Sequence, residues 1–148
     1  MHDEDPVDPD IEALPLPRAA LGSTVAAVAL GGVLGALARY GLGLLWPARP
    51  TGFPWATLAI NVAGCLAMGC LIVAVTEVWA AHRLARPFLG TGLLGGFTTF
   101  SAYCADIQRL LAADRVAVGL AYLASTVVGA LAAVTLGAAL TRRLACPR

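Results

Sequence analysis

Four long stretches of this chain carry no charged side chain. They are Ala19–Ala38 (with the same pattern running past Arg39 to Leu45), Phe53–Thr76, Pro87–Ala105 and Val116–Thr141. Each meets the threshold of about 18 apolar residues at which a helix rising about 1.5 Å per residue crosses a hydrocarbon core. A helix of a soluble bundle shows a polar stripe on its outer face, and these runs show none over several turns. The pattern therefore predicts an all-α membrane protein with four transmembrane helices per subunit, at about 19–45, 53–77, 87–106 and 116–141. The connections are short: Trp46–Gly52 with two prolines, Glu77–Arg86 and Asp106–Arg115.

The third run is unusual within. Gly95-Gly96 is followed by Phe97 and then Thr98-Thr99, a weak helical sequence set in the middle of a membrane span. Backbone groups cannot go unpaired in lipid, so a break there must be buried in protein or line a cavity, and its freed carbonyls can coordinate a cation. Close small-residue packing of a continuous helix explains the same residues. Glycines recur elsewhere: Gly31/Gly35 and Gly92/Gly96 at GxxxG spacing, with Gly64, Gly69, Gly129 and Gly137. Such residues let membrane helices approach closely.

Composition sharpens the picture. Hydrophobic residues make up 59% and charged residues 13% of the 148 residues, against about 45–50% and about 25% in soluble domains. Six of the nine acids (Asp3, Glu4, Asp5, Asp8, Asp10, Glu12) lie before the first span, in a Pro-rich segment 1–18 expected to be a disordered tail. That acidic start is the reverse of a cleaved signal peptide. The remaining basic residues form no concentrated face, which argues against nucleic-acid binding, and soluble enzyme chemistry is equally poorly served. Cys65, Cys70, Cys104 and Cys146 form no CxxC pair, and His2 and His82 lie far apart, so neither zinc spacing nor a disulfide framework is expected. With four spans, Arg18, Arg83, Arg86, Arg142, Arg143 and Arg148 share one side, against Arg49, Arg109 and Arg115 on the other. The positive-inside rule then puts both termini in the cytoplasm by a modest margin.

Polar residues inside spans are candidates for function. Asn61 stands midway along the second span, with Thr57 one turn earlier on the same face; an interhelical packing bond is the lesser alternative for such an Asn. Tyr122, Ser125 and Thr126 offer hydroxyls on the fourth span, although Ser and Thr readily bond to their own helix. Phe100 and Tyr103 share a face just beyond the double Thr; aromatic pairs at this spacing are usually packing, and their place beside the suspected break is what singles them out. Arg39 either snorkels to the interface or supplies positive potential at the mouth of an anion path. Acids occur only near span ends, at Glu77 and Asp106, which disfavours carboxylate-ringed cation channels and proton relays. Neutral donors and one cation at the rim suit a small anion.

Three segments, Gly31-Gly-Val-Leu-Gly-Ala-Leu-Ala-Arg39-Tyr40, Thr57-Leu-Ala-Ile-Asn61-Val-Ala-Gly64 and Gly95-Gly-Phe-Thr-Thr-Phe-Ser101, together resemble the CrcB/Fluc fluoride channel family. The likeness covers all four spans in order and leaves out only the acidic tail. It implies a third helix broken at mid-membrane and an antiparallel, dual-topology dimer with two fluoride pathways. It also implies a structural sodium ion at the dimer centre, held by the backbone carbonyls of Gly95 and Thr98. Asn61 and Thr57 match the family's pore Asn and its upstream Thr, and Arg39 its vestibule Arg. Phe100 and Tyr103 match the two pore aromatics, Tyr103 standing where the family usually has Phe. On the fourth span the polar track falls to Ser125 or Thr126, with Tyr122 one turn before the latter. The implied activity is passive fluoride export across the cell membrane, by a homodimer or by a pair with an oppositely oriented paralogue, lowering fluoride toxicity. A small four-helix multidrug-type exporter would need a membrane-embedded Glu in its first span, which is absent here; a non-transporting membrane assembly factor is the other alternative.

Overall fold

A computed structural model of the chain describes residues 18–47, 51–78 and 83–145. The expected tail thus lies outside the described residues, except for Arg18, which opens α1 (Arg18–Leu45). Helix α2 (Trp55–Val73) follows Pro54 and runs on into a π-wound turn, Ala74–Val78. The third segment begins π-wound over Pro87–Leu94 and tightens into the short α3 (Gly95–Phe97). Thr98 and Thr99 are extended (φ/ψ −76°/159° and −149°/122°), and α4 (Phe100–Ala112) starts immediately afterwards. Asp114, at φ 57°, turns the chain into α5 (Val116–Ala145).

Three helical stretches are long and apolar enough to cross a membrane: Leu21–Leu45, Trp55–Glu77 and Val116–Ala145. These are the expected first, second and fourth spans. The segment expected as the third is divided at Thr98–Thr99, and neither half reaches that length among the described residues. Its end also differs from expectation. Rather than giving way to a loop at Asp106, the helix continues to Ala112. The residues Ile107-Gln-Arg-Leu-Leu-Ala112 are good helix formers, and Asp106 pairs with Arg109 one turn on, at 2.8 Å. The fourth span likewise passes 141 to reach Ala145, because Arg142 and Arg143 suit a helix C-terminus and Arg142 Nη2 reaches Glu77 Oε1 at 2.8 Å.

Two seams of glycine set the packing. On one, Gly31 and Gly35 of α1 lie against the main chain of Phe88 and Leu93, while Gly92 and Gly96 lie against the carbonyls of Val28 and Gly32. The two GxxxG pairs therefore face each other, and α1 holds the first half of the third segment backbone to backbone. On the other seam Gly69 of α2 meets the Val134 carbonyl and Gly137 of α5 meets the Leu66 carbonyl. Gly64 leaves room for the Thr98 methyl, which ties α2 to the extended residues.

A β-carbon at Gly137 would strike backbone that no rotamer change can move. Gly137→Val is expected to lower the melting temperature in detergent by about 5 °C or more, as overpacking by about 1–3 kcal/mol does in a domain of this size. Gly22→Ala, where a β-carbon would meet nothing within 4 Å, should leave it unchanged; circular dichroism on both checks this.

Candidate functional site

The extended pair Thr98–Thr99 removes hydrogen bonds that a continuous helix would make, and their replacements organise the site. In an α-helix each N–H reaches the carbonyl four residues back. The Thr99 N–H, due at Gly95 O, instead donates to Asn61 Oδ1 at 2.8 Å, and Asn61 Nδ2 donates to Thr99 O at 3.0 Å. The Ala102 N–H, due at Thr98 O, donates to Thr99 Oγ1 at 3.1 Å, capping α4. The carbonyl of Gly96 accepts from Arg39 Nε at 3.2 Å. Leu94 O keeps its ladder bond from the Thr98 N–H (3.0 Å) and also accepts from Thr98 Oγ1 (2.9 Å).

The carbonyls of Gly95 and Thr98 thus lose their ladder donors to Asn61 and Thr99, and those of Gly96 and Phe97 lose theirs to the same break. Gly95 is exposed on the subunit surface and Thr98 is half-buried. Neutral carbonyl oxygens without a neighbouring carboxylate are the donor set of a hard cation held by main-chain dipoles. Among the described residues no cluster of three His, Cys, Asp or Glu side chains could hold a metal ion.

Asn61 is 8% exposed and its amide is closed onto Thr99. Its Nδ2 carries two protons, so one donor remains after Thr99 O is served. Arg39 and Thr57 come together with Thr99 and Ala102 around a cleft of about 360 Å³. Arg39 Nε donates to Gly96 O, next to the break.

Beyond the break lies a row of rings. Phe100 projects from the subunit, 78% exposed, with its centroid 5.8 Å from that of Tyr103. Tyr103 is buried and tilts at 55° to Tyr122, 5.4 Å away. Tyr122 in turn meets Phe53 edge-on at 5.4 Å. The Tyr103 hydroxyl donates to Leu123 O at 3.1 Å, and its ring belongs to the core cluster with Leu110 and Tyr122. Ser125 and Thr126 both donate to Tyr122 O, at 3.1 and 2.8 Å. Thr126 is buried and Ser125 half-buried; in this arrangement both hydroxyl protons turn back onto their own helix.

The residue that sequence reasoning missed is Asp106. Read as the end of a span, it lies inside α4, where its Oδ2 accepts from Thr57 Oγ1 at 2.8 Å and from the Tyr122 hydroxyl at 3.5 Å. Its Oδ1 pairs with Arg109. Thr57 therefore bonds to a carboxylate from another helix, and its role is joined to that of Tyr122. The signal was the spacing of apolar residues in Tyr103-Cys-Ala-Asp-Ile-Gln-Arg-Leu110, which continues a helix past the first charge.

Comparison with known proteins agrees with this architecture. The family described as "CrcB-like protein, Camphor Resistance (CrcB)" matches residues 26–138. A fluoride-specific ion channel of Streptomyces coelicolor is 55% identical over 120 residues, covering 81% of this chain and 78% of that protein. One from Nocardia farcinica is 55% identical over 116 residues, covering 78% and 83%. Another, from Streptomyces avermitilis, is 58% identical over 102 residues, covering 69% of this chain and 65% of its own length. With its glycine seams, apolar spans and matched segment, this chain is a multi-pass membrane protein and belongs to the CrcB family.

Proposed function

We propose that the chain is a subunit of a fluoride channel that lets fluoride leave the cell passively. In this reading the segment 87–112 is a third membrane crossing broken at Thr98–Thr99, and two copies assemble antiparallel. The Gly95 and Thr98 carbonyls of each copy would hold a sodium ion, which would supply fixed positive potential in a low-dielectric setting. The observation that supports the reading is the Asn61–Thr99 clamp, which leaves one buried amide donor beside main-chain carbonyls that have lost their ladder donors.

Fluoride is small and strongly hydrated, so a pathway must replace its water with placed donors. The second Nδ2 proton of Asn61 is one such donor. The edges of Phe100 and Tyr103 are others, and Arg39, near the cleft, raises the local potential for anions. Thr57, Tyr122 and Thr126 or Ser125 continue a polar line along α2 and α5, their hydroxyl protons directed to Asp106 and to Tyr122 O, so a donor to fluoride there requires a hydroxyl to turn. The membrane potential then drives exit, at about 2.3 kcal/mol per charge per 100 mV.

Fluoride-loaded proteoliposomes test this, with efflux followed by an ion-selective electrode under a potassium-diffusion potential. Efflux no faster than from protein-free vesicles overturns the reading. The aromatic assignment carries its own prediction. Tyr103→Phe should change efflux by less than about twofold, because Leu123 O loses only an accessory bond worth about 1 kcal/mol or less. Tyr103→Ile removes the edge and should slow efflux by about tenfold, the kinetic equivalent of about 1.4 kcal/mol.

A further inference from the structure

A carboxylate sits where an anion route has least use for one. Asp106 bonds Thr57 and Tyr122, both on the proposed fluoride pathway, and its side chain is only 15% exposed. A negative charge so placed repels an approaching anion strongly, since the screening that water provides at a surface is reduced here. Its one ionic partner is Arg109, with Nη2 2.8 Å from Oδ1. Arg109 Nε is buried and has no hydrogen-bond partner, and the contact that orients the guanidinium is its Nη2 bond to Asp106 Oδ1. Arg109 therefore answers the charge of Asp106 from one turn along the same helix.

We propose that Arg109 is a positioning residue that sets the fluoride throughput of this chain. It neutralises Asp106 so that the carboxylate can align the Thr57 and Tyr122 hydroxyls without presenting net negative charge to the anion. The inference rests on the fluoride-channel reading. It assigns a role to a residue that touches neither the break nor the ring pair.

The test is initial fluoride efflux from proteoliposomes of the full chain for Arg109→Gln, Arg109→Lys, Asp106→Asn and the double variant Asp106→Asn/Arg109→Gln, with gel-filtration profiles of each. If the unvaried chain does not conduct fluoride, the channel reading falls before any variant is compared. If it conducts, Arg109→Gln is expected to slow efflux by about tenfold or more. Arg109→Lys should stay within about threefold, because a neutralising cation is kept. The double variant should conduct faster than Arg109→Gln alone. Equal slowing by Arg109→Gln whether Asp106 is kept or replaced is what a packing role gives, and it overturns the proposal. If Arg109→Gln fails to assemble, the double variant still decides. Its assembly and conduction are expected, since the unpaired carboxylate is gone; its failure, with Asp106→Asn intact, overturns the proposal.

Discussion

Asn61→Ala is expected to reduce fluoride efflux by about hundredfold, equivalent to about 2.8 kcal/mol, while the protein still folds. The amide does two things at once. It satisfies the N–H and C=O of Thr99, at 2.8 and 3.0 Å, and it keeps one donor in reserve. Truncation leaves the part-buried Thr99 N–H unpaired, at about 1–3 kcal/mol if water does not rescue it, and takes one donor from the Thr99 carbonyl, which as the N-cap of α4 keeps the first bond of that helix. The Thr99 N–H can then recover a partner only by moving, which shifts the start of α4 and the rings of Phe100 and Tyr103 with it. Asn61→Asp separates the roles: it still accepts from the Thr99 N–H but sets a second oxygen against the Thr99 carbonyl and offers no donor. It should be at least as damaging as Ala. Efflux near the unvaried level from a correctly folded Asn61→Ala protein would return Asn61 to simple packing.

The second large effect belongs to Gly96. A β-carbon there would run into the Gly32 carbonyl, and the Gly96 carbonyl itself receives Arg39 Nε. Gly96→Val is expected to lower the melting temperature in detergent by about 10 °C, because backbone on both sides resists a shift and the cost exceeds about 3 kcal/mol. Its neighbour behaves differently. A β-carbon at Gly95 meets only the Gly90 carbonyl, at 3.8 Å, an ordinary contact. Gly95→Ala should therefore keep its melting temperature within the subunit. An unshifted Gly96→Val would show that the α1 seam is looser than its geometry implies.

The apolar runs and paired glycines made three spans legible, because lipid forbids charge over a helix of that length and the close contacts of Gly31, Gly35, Gly92 and Gly96 depend on the missing side chain itself. Asn61 and Thr57 were visible as polar residues out of place. Their partners were not: Asn61 meets the main chain of Thr99, and Arg39 the main chain of Gly96, and a carbonyl leaves no trace in a residue's name. Asp106 was hidden for another reason. A charge after a long apolar run reads as its end, whereas α4 carries the charge onward on a face that α2 and α5 supply with hydroxyls. The π-wound stretches Ala74–Val78 and Pro87–Leu94 had no sequence signal, since the extra residue per turn is set by tertiary contacts.

The contacts of Asn61 and Arg39 are asymmetric in what they demand of inheritance. Each side chain is read by its chemistry, but the residue it touches is read only through a peptide group. Within the limits of space, position 99 can drift in side-chain character and still be gripped by Asn61. Position 61 has no such freedom, because few other side chains both give and take a proton across one peptide. A codon change at Asn61 is therefore exposed to selection at once, while one at Thr99 is judged first on its volume and its fitness as a helix cap.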